Sequence, residues 1–193
     1  MEIFMMNIIE REANLRDFLL QKYFDSSNNL PSWIITSCVT TLSLAVLVSQ
    51  YIPIVPEYVA KLQLFGYQLN KFGYCLIIIA LFYFLRTALG YLFYNSIGDG
   101  KKWNIFYFTS TKFYFILSAL VIILCVTHYY FPIDRNNAFL YYLYFFVFVF
   151  IFKVFFYLFH RNNILPQKWY YKFLYICTLQ IAPLLMLWKL LFI

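Results

Sequence analysis

The sequence predicts an all-α protein: a multi-pass transmembrane helical bundle of five spans, with an N-terminal amphipathic helix and one interfacial helix. Three observations carry this. Of 193 residues, 64% are hydrophobic and 12% charged, against about 45–50% and about 25% in soluble domains. The apolar residues also come in runs long enough to cross lipid. The clearest is Phe139 to His160, whose one formal charge is Lys153; as a helix it rises about 33 Å, close to the ~30 Å of a bilayer's hydrocarbon core. Finally, nothing in that stretch has the period-two polar alternation of a transmembrane barrel strand.

Residues 1–30 are the most polar stretch and are expected to be a cytoplasmic amphipathic segment. Glu2, Glu10, Glu12, Asp17 and Asp25 stand among Arg11, Arg16 and Lys22. Phe4, Ile8, Leu15, Phe18 and Leu19 fall roughly on one helical face, which suits a helix lying on a membrane. The acidic content does not suit a signal peptide, which has a basic start and an apolar core. The run DSSNNLPS reads as a loop. Residues 31–193 are then a five-span membrane domain.

The first span covers about 33–51, from Trp33 to Tyr51, with an aromatic anchor at each end. Thr36, Ser37, Thr40, Thr41, Ser43 and Ser49 make it the most polar span, suited to packing on protein rather than lipid. Pro53 and Pro56 stop the helix. Tyr58, Leu62, Phe65 and Leu69 then recur at helical spacing, which predicts the interfacial helix within 52–71. Further spans are expected at about 72–94, 106–129, 139–160 and 169–192. Polar turns join them, one of which carries Lys101 and Lys102.

Five spans put the termini on opposite sides. Arg11, Arg16, Lys22, Lys101, Lys102, Arg161, Lys168 and Lys172 fall on one side, and Lys61, Lys71, Arg135 and Lys189 on the other. The positive-inside rule assigns the richer side, with the N-terminus, to the cytoplasm and the C-terminus to the exterior.

The last span contains Tyr175-x-Cys177-Thr178-Leu179-Gln180-Ile181-x-Pro183-Leu184. This stretch resembles the C-terminal segment of an integral membrane family of Bacteroidota described only as a domain of unknown function, and the order of spans from Trp33 onward fits it too. The resemblance implies a bacterial cytoplasmic membrane and no assigned activity. The family often carries Glu where this chain has Gln180, a departure that weakens any proton-linked role.

The candidate functional residues are the polar groups set inside apolar spans: Arg86, Lys112, Lys153 and Gln180. A charge at the bilayer centre costs roughly 2.5–3.5 kcal/mol on insertion scales. Snorkelling to the near interface is the alternative reading for each cation, weakest for Arg86, the deepest. All eight acidic residues lie in the tail or in loops. Any counter-charge therefore comes from a folded-back loop, a lipid phosphate or another subunit. Gln180 falls near the midplane, and Pro183 removes a hydrogen bond to the carbonyl of Leu179, so a local break is expected there.

No catalytic residues, metal ligands or cofactors are assigned. His128 and His160 close opposite ends of their spans, nearly a bilayer apart, and no HxxxH or ExxH pair exists. The cysteines, Cys38, Cys75, Cys125 and Cys177, sit in apolar stretches without a CxxC, as small buried hydrophobes do. The net charge of +7 is scattered between spans, so it points to anionic lipid headgroups and topology, not to nucleic acid. The expected function is a non-enzymatic integral membrane subunit or accessory factor of a bacterial envelope complex, with other membrane subunits as partners. The alternative is a lipid-handling transporter or enzyme that holds a phosphate headgroup on its intramembrane cations.

Overall fold

The computed structural model of the chain describes residues 29–52, 63–64, 67–68, 70–131, 134–160, 164–166 and 168–192. The expected amphipathic helix within 1–30 falls almost wholly outside them. Five helices are long and apolar enough to cross a membrane, and the chain is a membrane protein. Helix α1 covers Asn29–Ser49, α2 Lys71–Ile97, α3 Gly100–Tyr130 and α4 Arg135–Leu158. The fifth span is composite: α5 (Trp169–Leu174), a π-helical segment (Tyr175–Ile181) and α6 (Ala182–Phe192) run on continuously. Helix α1 starts ahead of Trp33 and takes Pro31 into its first turn, where a missing N–H removes no helical bond.

Where the interfacial helix was expected, the described residues form something else. Strands β1 (Gln63–Leu64) and β2 (Tyr67–Gln68) pair antiparallel, Gln63 opposite Gln68 and Leu64 opposite Tyr67. Two residues connect them, Phe65 and Gly66. Tyr58, Leu62, Phe65 and Leu69, whose spacing predicts the interfacial helix, lie outside the described residues.

In lipid the attraction between helices comes from close packing and not from water exclusion, so small residues mark the tightest contacts. Helix α1 lies against α3 and α2 and buries Thr36, Thr40 and Ser43; its Leu47 clusters with Leu117 and Val121 of α3, and its Ala45 with Cys75 and Ile79 of α2. The hydroxyls of Thr40 and Ser43 donate to carbonyls of their own helix, Thr36 O at 2.5 Å and Thr40 O at 3.1 Å. They therefore allow close approach without leaving polar atoms bare to lipid. Helices α2 and α3 meet at Gly90, where an added Cβ would lie 3.0 Å from the Trp103 indole. Their turn uses Gly98 at φ +80°, and the N–H of Asp99 returns to Tyr94 O at 3.1 Å, so the end of α2 is capped.

The bundle is closed differently at its two ends. Where α2 meets α3, Tyr94, Phe106, Tyr157 and Tyr175 form an aromatic floor that takes in Ile164 and Leu165 of the α4–α5 connection. The Tyr94 hydroxyl donates to Ile164 O at 3.2 Å and ties that connection down. At the other end Tyr51 meets His128, Phe139 and Tyr142, and Phe139 also meets Trp188 and Phe192. All four cysteines are free thiols.

Candidate functional site

Inside the bundle, four spans bring polar side chains to one point. Arg86 of α2 donates from Nη1 to the Tyr114 hydroxyl of α3 and from Nη2 to Gln180 Oε1 at 2.6 Å. Lys153 of α4 donates to the same Tyr114 oxygen at 2.6 Å. The Gln180 amide donates to Tyr175 Oη at 2.6 Å. Lys153 and Gln180 are each only 5% exposed.

The helices deliver this cluster to mid-bundle. Arg86, Tyr114 and Gln180 lie near the midpoints of Lys71–Ile97, Gly100–Tyr130 and Trp169–Phe192. Lys153 starts nearer the end of α4, but helical side chains lean toward the helix N-terminus, which carries its ammonium into the bundle instead of out to the near interface. Snorkelling does not describe either Lys153 or Arg86.

Gln180 depends on the π-helical segment. In an α-helix, residues five apart point about 140° away from each other. In a π-helix the ring closes from i to i+5, so Tyr175 and Gln180 stack and can bond. The backbone carries the same register, with the N–H of Ala182 on Cys177 O. Pro183 follows directly and has no N–H for the Leu179 carbonyl. The break expected around Gln180 and Pro183 is this segment.

Electrostatically the cluster is unbalanced. Two cations that reach one oxygen are no more than about 6 Å apart, and at an effective dielectric of about 20 they repel by roughly 3 kcal/mol. Among the described residues the acidic side chains are Asp99 and Asp134, both at helix ends, and Asp99 is paired with Lys102 at 2.9 Å. The phenol oxygen of Tyr114 and the ring faces around it take the place of a carboxylate. Lys153 Nζ stands 4.5 Å from the Tyr114 ring centroid, an additional cation–π contact.

The cluster is the polar end of a cavity of about 380 Å³. Arg86, Tyr114, Lys153 and Gln180 line one end, and Tyr51, Phe139, Trp188 and Phe192 the other. Between them the walls are Leu, Ile, Val and Phe side chains of α1, α2, α3, α4 and α6. Along α4 the distance from Phe139 to Lys153 is about 21 Å. Arg86 and Tyr114 also line a second cavity of about 40 Å³ toward α1, with Ser37, Thr87 and Ser110.

Of the residues singled out in the sequence, Arg86, Lys153 and Gln180 come together. Lys112 does not: its Nζ lies over the Phe108 ring at 4.3 Å, and its position on α3 is about 200° around the helix from Tyr114. His128 Nδ1 is 3.3 Å from the Tyr51 hydroxyl. His160, just past the end of α4, sits edge-on to Phe156, and burial pushes its pKa below the usual histidine value. Among the described residues no three metal-ligating side chains gather. Sequence reasoning missed Tyr114, the oxygen both cations share, and Tyr175, which holds Gln180.

Comparison with known proteins bears on this arrangement. A family described as a domain of unknown function, DUF4271, matches residues 4–191. The chain belongs to that family. The DUF4271 match takes in all five spans and every residue of the cluster. No curated protein and no solved structure matches the chain.

Proposed function

We propose that this protein binds an anionic amphiphile within the membrane, its charged head on Arg86 and Lys153 and its chain along the apolar cavity. One observation carries the reading: a cavity apolar along its length ends on two cations that no carboxylate of this chain's spans neutralises. The backbone rise of about 21 Å from Phe139 to Lys153, less the lean of the ammonium toward Phe139, leaves about the ~15 Å thickness of one hydrocarbon leaflet, so an extended lipid chain fits. The distribution of Lys and Arg supports an orientation with the N-terminus inside, and the resemblance of the last span to a family of Bacteroidota implies a bacterial cytoplasmic membrane. In that setting the ligand is a lipid of the cell envelope.

The rival is a subunit of an envelope complex, in which a partner's intramembrane carboxylate meets the cations. The cavity favours lipid, because the cations open into apolar space lined by this chain's own helices. Purification in mild detergent with mass spectrometry of lipid and protein is the test. The expected result is a retained anionic amphiphile, lost in Arg86→Leu and weakened in Lys153→Leu. A stoichiometric protein partner without lipid would overturn the reading.

A further inference from the structure

We infer that the head group is a phosphate monoester on a single-chain lipid. This rests on the amphiphile reading above and deepens it.

Charge is the first argument. A carboxylate or a phosphodiester brings one negative charge and leaves the Arg86–Lys153 pair with a net positive charge buried in the bundle. A phosphate monoester carries about −1.5 to −2 at neutral pH and three acceptor oxygens. It neutralises both cations at once.

Donor geometry is the second. The guanidinium has five N–H donors in a planar fork and the ammonium three. The bonds to Tyr114 and Gln180 occupy two of the first, and the bond to Tyr114 one of the second. The remaining donors, on two side chains, outnumber what the two oxygens of a carboxylate share and suit a group with three acceptor oxygens.

The small cavity is the third. It shares Tyr83, Arg86 and Tyr114 with the apolar cavity, includes the hydroxyl-bearing Ser37, Thr87 and Ser110 in its lining, and at about 40 Å³ is large enough for water. Water there can solvate a dianion held on Arg86. The apolar cavity has one polar cluster, which suits one chain per phosphate.

The test is competitive binding to the purified, delipidated full chain in a non-ionic detergent, followed by native mass spectrometry. The probes are hexadecyl phosphate, palmitate, hexadecylphosphocholine and inorganic phosphate. Hexadecyl phosphate is expected to bind one per chain, at least tenfold tighter than palmitate or hexadecylphosphocholine, with millimolar inorganic phosphate unable to displace it. Arg86→Gln and Lys153→Gln should each lose at least tenfold, Lys153→Arg should retain binding, and Lys112→Gln should match the wild type. If palmitate equals hexadecyl phosphate and both need Arg86, the amphiphile reading stands and the phosphate assignment fails. If inorganic phosphate displaces the lipid, the chain contributes nothing and the lipid assignment fails. If no amphiphile binds the wild type, both readings fail. The ligand panel on the wild type decides the matter even if a variant does not fold.

Discussion

Replacing Tyr114 by Phe tests the cluster at its centre, because it deletes one oxygen and almost no volume. Two charged donors, Arg86 and Lys153, lose their shared acceptor. A hydrogen bond to a charged group is worth about 1.5–3 kcal/mol net. Arg86 keeps Gln180 and Lys153 keeps its cation–π contact with the ring, so the loss is that of the two bonds, roughly 3–6 kcal/mol. At about 2–4 °C per kcal/mol for a chain of this size, the unfolding midpoint of the purified protein in detergent should fall by roughly 6–24 °C. A second variant sharpens the test. Removing both partners of a buried bond is nearly neutral, so Tyr114→Phe with Lys153→Leu should recover at least half of the loss. A thermal series on wild type, single variants and the double variant completes the cycle. A Tyr114→Phe protein as stable as wild type, or a double variant no better than the single, would falsify the idea that this phenol holds the two cations.

Three further outcomes are expected. Gly90→Ala presses a methyl onto Trp103 at 3.0 Å and should destabilise the α2–α3 contact by about 1–3 kcal/mol, seen as a lower thermal midpoint than in a Gly100→Ala control, where the space is open. Burial lowers the pKa of His160, so the unfolded chain binds more protons than the folded one once pH falls below about 6.5; stability should drop on acidification from pH 7 toward 5, and His160→Gln should flatten that slope. Reporter fusions after Asp99 should read cytoplasmic and those after Asp134 and Ile193 external; the reverse pattern would mean that the Lys and Arg bias does not set this topology.

The spans were legible because lipid leaves so few options: long apolar runs without charge must be helices. Arg86, Lys153 and Gln180 were legible for the same reason, since a polar group in such a run stands out against its neighbours. Lys112 gave the same signal and belongs elsewhere, because hydropathy along a chain does not say which way round the helix a residue faces. Tyr114 gave no signal at all, and Tyr175 stood out only as the start of the stretch that resembles a family, not as a partner for Gln180. They are two of 19 tyrosines, and only the packing of α2, α3, α4 and the fifth span distinguishes them from residues that anchor at an interface. The spacing of Tyr58, Leu62, Phe65 and Leu69 gave no sign of the short antiparallel pair at Gln63–Leu64 and Tyr67–Gln68.

The bond from Arg86 to Gln180 joins residues 94 positions apart, and that separation is also a delay. At about 5–20 residues per second of synthesis, Arg86 enters the membrane roughly 5–20 s before its amide partner exists. During that interval α2 lies in lipid with its guanidinium unanswered by the fifth span, and Tyr114 alone is on hand once α3 follows. Completion of the cluster therefore waits on synthesis of the fifth span. A chain that stops short of Gln180 leaves Arg86 with the Tyr114 hydroxyl but without its amide acceptor, an under-satisfied cation held in the bilayer.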